Sequence, residues 1–303
     1  MSARVGALTL PNPVLTAAGT SGHGAELSAF FDLSSLGAVV VKSISAQPWG
    51  GNAAPRVHEA DFGMLNSVGL QNPGVGDWLA EEVPALVTSG ARVVASIWGR
   101  AVDDYATVAS ALRDAPAAVI AVEVNLSCPN LDGGRHMFAH STSATSEAIS
   151  ASLGCGRPVW AKLSPNVADI TEIAGAAISA GASALTLVNT VMGMAIDTET
   201  RRPILGAGTG GLSGPAIRPV AVRALRECHL AFPDVSLVGV GGVSRGEHAV
   251  ELLLAGASAV QVGTATFADP RAPARVLAEL RDWCIRHDVT AVSQLVGSVY
   301  GAS

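Results

Sequence analysis

The 303-residue sequence predicts an α/β protein, a (β/α)8 (TIM) barrel that forms one domain over residues 1–303. Three observations predict it. Eight short apolar runs recur along the chain, segments with helical spacing fall between them, and the runs end in polar residues. Runs that are apolar at nearly every position are typical of parallel strands covered on both faces. Eight strand–helix alternations in a chain of this length indicate the barrel.

The predicted elements follow one another without a low-complexity linker. The strands are residues 14–20, 38–43, 93–99, 121–127, 159–165, 184–190, 236–242 and 259–265. Helices are predicted at residues 169–180, 216–227 and 246–255, and the glycines at 181 and 256 stand where helices end. A doubly wound sheet, the other α/β architecture, needs a GxGxxG turn after its first strand, and the sequence has none there.

Composition excludes several classes of protein. Apolar residues make up 49% of the chain and charged residues 15%, which excludes intrinsic disorder. No uncharged stretch is long enough to cross a membrane, and the N-terminus has no apolar signal region. A net charge of −6 argues against nucleic acid as a partner. We therefore expect a cytoplasmic enzyme with no metal site, since the four cysteines show no metal spacing.

The barrel prediction also places the active site. In this fold, chemistry takes place on the loops that follow the carboxyl ends of the strands. The two long loops after the second and fourth predicted strands, residues 45–72 and 129–140, are predicted to fold over that face as lids.

Lysine usage is the sharpest clue to a site. Only two of the 19 basic residues are lysines, and both, Lys42 and Lys162, stand at the ends of predicted strands. A compact ammonium beside an apolar pocket suits an anionic ligand or the electron-rich edge of a cofactor. The alternative is that one or both lysines pair with a carboxylate inside the barrel, such as Glu123.

Glycines and asparagines indicate what the site binds. Glycine-rich turns at residues 239–244 and 262–264 predict a phosphate site, although simple tight turns are the alternative. The run at residues 208–215 is interpreted as a flexible loop. Asn66, Asn125 and Asn189 lie on three loops of one face, and converging amides recognise a small planar ligand that carries carbonyl and N–H groups.

One cysteine has a setting suited to chemistry. Cys128 stands in a loop with Asn125, Ser127 and Asn130, where a thiol can act as nucleophile or general base. The alternative is an inert thiol. The other three cysteines fall in helical or connecting segments and are interpreted as structural: Cys155, Cys228 and Cys284.

Several motifs, in order along the chain, resemble the dihydroorotate dehydrogenase family. They are Lys42-Ser43, residues 63–74 (GMLNSVGLQNPG), 125–130 (NLSCPN), 162–166 (KLSPN), Asn189-Thr190, 210–216 (GGLSGPA) and Gly263-Thr264. Residues 133–138 (GGRHMF) are similar to the class 1B catalytic subunit. Class 1A enzymes, which use fumarate, have a proline- and lysine-containing sequence there, and class 2 enzymes have an N-terminal extension and a serine base.

The resemblance implies one FMN per chain and the oxidation of (S)-dihydroorotate to orotate in pyrimidine biosynthesis, with Cys128 as the catalytic base. It implies that the substrate is held by Lys42, Asn66, Ser67, Val68, Gly69, Leu70, Asn125, Asn189 and Thr190. It implies that FMN is held by Ala18, Gly19, Lys42, Ser43, Ser96, Asn125, Lys162, Val188, Gly214, Gly241, Gly242, Gly263 and Thr264.

Class 1B enzymes also imply a partner. In them a second subunit carries FAD and a [2Fe–2S] cluster and passes electrons to NAD+, and two copies of the catalytic chain sit in a heterotetramer. Four dispersed cysteines lack ferredoxin spacing, so the cluster is expected on the partner and not on this chain.

Three positions depart from the family pattern. Ala18 stands where the family usually has serine, Ser96 where it usually has asparagine, and residues 45–52 differ from the usual threonine-rich stretch. Loss of a flavin hydrogen bond costs about 1 kcal/mol. These departures leave three alternatives open: a related flavin oxidoreductase of dihydropyrimidines, a fumarate-type class 1A enzyme, and a non-catalytic barrel that binds a phosphate ligand.

Overall fold

Eight parallel strands form a barrel in the computed structural model, which describes residues 1–127 and 138–299. The barrel strands are, in chain order, Val14–Thr16, Val39–Val40, Val93–Ile97, Val119–Asn125, Val159–Lys162, Ala184–Leu187, Ser236–Val240 and Ala257–Val262. The eighth strand pairs with the first, and a parallel bridge between Leu15 and Ala38 closes the ring. The eight predicted strands and the barrel class are confirmed.

Helices cover the outside of the barrel. The α-helices are Val75–Asp77, Val83–Thr88, Val102–Leu112, Thr142–Ser152, Ile170–Ser179, Arg218–Ala231, Gly246–Ala255, Ala265–Ala268 and Ala272–Arg286. The three helices predicted from the sequence are among them, and Gly181 and Gly256 follow two of them with positive φ, as helix stops do. No helix in the described ranges is long and apolar enough to span a membrane.

The first connection departs from the expected strand–helix alternation. Between the first two barrel strands, all of it described, the chain forms only two short 3-10 helices, Glu26–Ala29 and Leu33–Ser35. Asp32 caps the second, since its side chain accepts a hydrogen bond from the Ser34 backbone N–H at 2.9 Å. Glycines at residues 19, 22 and 24 interrupt the helical pattern before it, and glycine is the weakest helix former after proline.

The interior of the barrel changes from apolar to polar toward the carboxyl ends of the strands. The lower layer consists of inward-facing apolar residues, with Val5 and Leu10 of an N-terminal hairpin packed beneath it. One layer higher, the Gln261 side-chain amide donates to the Glu123 carboxylate at 2.7 Å. These two residues lie on the fourth and eighth strands, which are not neighbours, so their hydrogen bond crosses the interior. The polar layer forms the floor of the site.

A second sheet of four antiparallel strands extends the barrel at its carboxyl face. We call it the roof sheet; its strands are Val57–Ala60, Gly63–Asn66, Val191–Gly193 and Gly210–Ser213. In the sheet, Gly63–Asn66 lies between Val57–Ala60 and Gly210–Ser213 and pairs with both. The predicted lid at residues 45–72 therefore contains two strands of this sheet. The interpretation of residues 208–215 as a flexible loop is wrong, because four of them form a paired strand.

Candidate active site

A cavity of about 1020 Å³ opens at the carboxyl ends of the barrel strands, against the roof sheet. Residues at or just after the end of every barrel strand contribute to its wall. Small-molecule sites span roughly 300–1,000 Å³. The cavity is therefore large enough for a cofactor and a small substrate together.

Most residues predicted for substrate and cofactor line this one cavity. They are Ala18, Gly19, Lys42, Ser43, Asn66, Ser67, Val68, Gly69, Leu70, Asn125, Lys162, Val188, Asn189, Thr190, Gly214, Gly241, Gly242, Gly263 and Thr264. Cys128 and residues 129–137 of the predicted lid at residues 129–140 lie outside the described residues, and the lid ends in a short 3-10 helix, Phe138–His140. The structure shows that these residues line one cavity, and the role of each toward substrate or cofactor stays a prediction.

Ser96 is the predicted site residue that the structure does not bring to the cavity wall. It is fully buried, and its hydroxyl shares a hydrogen bond of 2.8 Å with the hydroxyl of Ser43. Ser96 is level with Glu123 in the strand register, one layer below the cavity, and a serine side chain is too short to reach past Ser43. Ser96 therefore does not line the cavity wall, and its contact with a cofactor stays a prediction.

Lys162 is held inside the barrel by a buried carboxylate. Its Nζ lies 3.5 Å from Glu123 Oε1, and both side chains are buried. Glu123 Oε2 accepts hydrogen bonds from the Thr186 hydroxyl at 2.9 Å and from the Gln261 side chain. The alternative of pairing with a barrel carboxylate is confirmed at Lys162, which also lines the cavity, and its role toward a ligand stays a prediction. The fixed carboxylate gives its ammonium a defined position on the cavity floor.

Lys42 occupies a different electrostatic setting. Its Nζ donates a hydrogen bond of 2.7 Å to the Gln71 carbonyl, and no carboxylate in the described ranges lies within salt-bridge distance of it. Burial, and secondarily the Arg56 guanidinium, lowers the pKa of Lys42 to about 8. A cation whose charge the protein leaves unbalanced is suited to an anionic ligand.

The three predicted asparagines converge as expected from their strand ends. Asn189 donates through Nδ2 to Asn125 Oδ1 at 3.2 Å, and Asn125 Nδ2 donates to the Ser43 hydroxyl at 3.3 Å. Asn66 is at the end of a roof-sheet strand, where its Nδ2 donates to the Gly211 carbonyl at 3.3 Å. Asn125 and Asn189 therefore line the cavity from the barrel, and Asn66 lines it from the roof sheet.

The glycine turns after the seventh and eighth barrel strands lie on the other side of the cavity. Gly242 has a φ of +70°, and a Cβ built there would lie 2.7 Å from the Cβ of Arg218. Thr264 donates through its hydroxyl to the Ser213 hydroxyl at 2.8 Å. Turns without side chains let backbone N–H groups approach a ligand closely, as in phosphate sites.

Aromatic and basic residues that the sequence analysis missed also line the cavity. Trp98 and Arg100 follow the third barrel strand, and Trp49 lies in the loop after the second. The Trp49 and Trp98 rings are edge-to-face with centroids 6.2 Å apart, and the Arg100 guanidinium lies 4.8 Å from the Trp49 centroid. The rule that strand ends carry the site could have found Trp98 and Arg100, since both come within three residues of a strand end.

The three described cysteines are buried and lie away from the cavity wall. Burial raises the pKa of all three thiols, for Cys228 to about 12. Thiols held protonated in this way are inert, which agrees with their interpretation as structural residues. Within the described ranges, no three His, Cys, Asp or Glu side chains cluster as metal ligands do.

Comparison with known proteins identifies the family. A family model described as dihydroorotate dehydrogenase matches residues 1–283. The chain belongs to the dihydroorotate dehydrogenase family. The resemblance seen in the motifs is thereby confirmed over nearly the whole chain, and the barrel and the polar cavity at its carboxyl face are those of a family member.

The names of individual relatives indicate which types of dihydroorotate dehydrogenase the chain is similar to. A protein from Geobacter sp. (strain M21), named dihydroorotate dehydrogenase B (NAD(+)), catalytic subunit, is 43% identical over 300 residues, 99% of this chain and 98% of its own. One of the same name from Desulforudis audaxviator (strain MP104C) is 46% identical over 297 residues, 98% and 96% of the two chains. A relative from Solibacter usitatus (strain Ellin6076), 46% identical over 293 residues and 96% of both chains, is named as a dihydroorotate dehydrogenase A (fumarate).

Proposed function

We propose that this chain is the catalytic subunit of an NAD+-linked dihydroorotate dehydrogenase, which oxidises (S)-dihydroorotate to orotate in pyrimidine biosynthesis. One observation carries the proposal: an unbalanced Lys42 and three asparagines line one cavity with glycine turns on its other side. Family membership and the names of the relatives support the same reaction.

The cavity fits FMN by its shape and its donors. A Cβ built on Gly19 would meet no protein atom within 4 Å, so the wall there is open to a ligand. The turns at Gly241, Gly242 and Gly263 offer backbone donors suited to a phosphate, and the Lys162 ammonium suits the electron-rich edge of a flavin. When bound, FMN supplies the acceptor for the hydride that leaves C6 of the substrate.

The residues of the chain account for binding and for the proton. Lys42 would attract and hold the substrate carboxylate, and the amides of Asn66, Asn125 and Asn189 would hold the carbonyl and N–H groups of the ring. Cys128 would take the proton from C5, so that loss of this proton and of the C6 hydride leaves the C5–C6 double bond of orotate. Fixed polar groups around a planar ring orient it for both transfers.

The same proposal includes a partner and a location. A subunit that carries FAD and a [2Fe–2S] cluster would pass the electrons to NAD+, and two copies of this chain would form the core of a heterotetramer. The words "catalytic subunit" in the relatives' names support a partner. The resemblance to NAD+-linked enzymes supports a cytoplasmic location and a one-domain chain.

An anaerobic half-reaction tests the proposal. Purified protein, loaded with FMN, is mixed with dihydroorotate while the flavin absorbance band is followed. Rapid bleaching is expected in the unmodified enzyme, with strong slowing at neutral pH in a Cys128→Ser variant. Loss of general acid–base catalysis typically costs about 10²–10⁴-fold in rate. A protein that cannot be loaded with FMN would refute the enzyme proposal, and a loaded protein that does not bleach would refute the substrate.

A fumarate-linked enzyme is the second candidate, because the Solibacter relative is of that type by name. The two are separated by the oxidative half-reaction. Flavin reduced by dihydroorotate is mixed with fumarate in the absence of any partner protein. Rapid reoxidation would favour the fumarate type, and a reduced flavin that persists would favour the NAD+-linked subunit.

A further inference from the structure

The balance of charge on the cavity wall is uneven. Four cationic side chains line it in the described part of the chain: Lys42, Arg100, Lys162 and Arg275. Lys162 pairs with Glu123, and Arg275 pairs with Asp269 at 3.2 Å and Glu279 at 3.1 Å. Lys42 and Arg100 have no carboxylate partner among the described residues. The site proposed to take an anionic substrate therefore carries two unbalanced cations and not one.

Arg100 is held in place without being neutralised. Its guanidinium lies over the ring of Trp49 at 4.8 Å, and the Trp49 indole N–H donates to the Gly69 carbonyl at 2.9 Å. The carboxylate of Asp104, four residues further along the chain, accepts hydrogen bonds from the backbone N–H groups of Arg100 and Ala101. Stacking on an aromatic face orients a guanidinium while its charge and its N–H donors remain available.

The position of Arg100 in the barrel indicates which anion it meets. Arg100 follows the third barrel strand, which lies between the second and the fourth. Lys42 follows the second strand, and the fourth strand ends at Asn125. The glycine turn at Gly242 follows the seventh strand, four places around the eight-stranded ring and so on the opposite side. Trp49 also ties Arg100 to Gly69, within the segment proposed to hold the substrate. Arg100 is therefore at the substrate end of the cavity and remote from the phosphate end.

We infer that Arg100, oriented by Trp49, is a recognition residue that captures the carboxylate of the dihydropyrimidine substrate at the cavity mouth. The inference rests on the proposed function. The chain has a net charge of −6, and Glu59 stands on the cavity wall, so the field of the protein opposes an anion unless a local cation offsets it. A cation at the mouth raises the rate of capture and leaves the chemical step unchanged.

The test compares two charge-matched variants. Arg100→Gln removes the stacked guanidinium, and Arg286→Gln removes an exposed guanidinium at the end of the last helix, outside the cavity. Anaerobic flavin bleaching by dihydroorotate is measured from low to high ionic strength. The second-order rate constant of Arg100→Gln is expected to fall about tenfold at low salt and to lose most of its salt dependence. The first-order bleaching rate at saturation is expected to stay within about twofold of the unmodified enzyme, and Arg286→Gln is expected to match that enzyme throughout.

Two further variants test the role of Trp49. Trp49→Leu is expected to shift the salt dependence in the same direction as Arg100→Gln, and the double variant is expected to equal Arg100→Gln alone. Calorimetric titration with orotate gives a readout independent of turnover, in which Arg100→Gln weakens binding and Arg100→Lys recovers part of it. If Arg100→Gln and Arg286→Gln show the same bleaching rates and the same orotate affinity, the inference about Arg100 is overturned and the proposed function still stands. An unmodified enzyme that does not bleach would overturn the proposed function first.

Discussion

The two lysines show how one residue type serves two purposes in the same cavity. Lys162 is balanced by Glu123 within a buried network, whereas Lys42 donates to the Gln71 carbonyl and has no carboxylate partner in the part of the chain that the structure describes. A paired ammonium is fixed in position by its partner. An unpaired one in a partly buried setting is sensitive to pH. Lys42 is therefore the residue whose protonation controls affinity for an anion.

Lys42 gives a prediction for the pH dependence of binding. Its pKa is lowered to about 8, so the ammonium loses its charge as pH rises through that value, well below the usual lysine range. Orotate affinity, measured by titration between pH 6.5 and 9.5, is expected to be constant at low pH and to weaken progressively above pH 8. Lys42→Arg keeps its charge over this range and is expected to remove the decline. The same decline in that variant would assign it to another group.

The buried pair gives a prediction for stability. Glu123→Gln leaves the Lys162 ammonium unpaired inside the barrel, and breaking a buried pair in this way costs about 3–5 kcal/mol. Urea unfolding is expected to show that loss and to show a smaller one when Lys162→Met is added. Glu227→Gln, which breaks an exposed pair with Arg223, is the control and is expected to cost under about 1 kcal/mol. Additive losses from the two buried substitutions would contradict the pairing.

At this scale the sequence predicts the positions of site residues better than their contacts. Lysine scarcity and strand ends identify Lys42 and Lys162, because a residue's place at a strand end follows from local pattern alone. The sequence offers pairing with Glu123 only as an alternative for either lysine, because local pattern does not say which side chains meet inside the barrel. Position after a strand end marks Arg100 and Trp98, but their contacts with Trp49 join two loops, and no local pattern marks those contacts.

At the scale of elements, the glycine turn at Gly242 leaves no room for a side chain. Gly242→Ala introduces a Cβ 2.7 Å from the Cβ of Arg218 at a φ of +70°, and such strain costs about 1–3 kcal/mol. FMN retention after gel filtration and the urea midpoint are both expected to fall. The matched control is Gly76→Ala, in a helix where a new Cβ meets nothing within 4 Å. If the Gly242→Ala variant retains FMN as well as this control, the role given to the turn is refuted.

Local pattern predicts the barrel strands, but it does not predict the strands of the roof sheet. Buried parallel strands have continuous apolar runs, so all eight are visible in the sequence. At the roof-sheet strand Gly210–Ser213 the sequence predicts a loop, because glycine disfavours strands. Its glycines have a packing reason, since a Cβ on Gly211 would lie 2.0 Å from the Thr190 hydroxyl. That neighbour comes from a different loop, so the reason appears only in the folded chain.

At the scale of the whole molecule, oxidation of dihydroorotate and reduction of NAD+ are expected to be separable activities. The chain alone, loaded with FMN, is expected to reduce a dye with dihydroorotate, because the cavity holds the substrate residues and the cofactor turns. NAD+ reduction is expected only after addition of a subunit that carries FAD and an iron–sulfur cluster. Rates of dye and NADH formation, with and without that subunit, measure this. NADH formation by the chain alone would contradict the need for a partner.

The roof sheet has a consequence for biosynthesis of the protein. Leu65, just before the segment proposed to hold the substrate, pairs with Leu212, nearly half the chain further on. The glycine turns come later still, after strands that end at Val240 and Val262. A nascent chain emerging from the ribosome therefore has no complete pocket until its last barrel strand has been synthesised. We therefore expect FMN to be loaded on the finished polypeptide, since a fragment released early would carry most of the proposed substrate residues but would lack the glycine turns proposed to bind the phosphate.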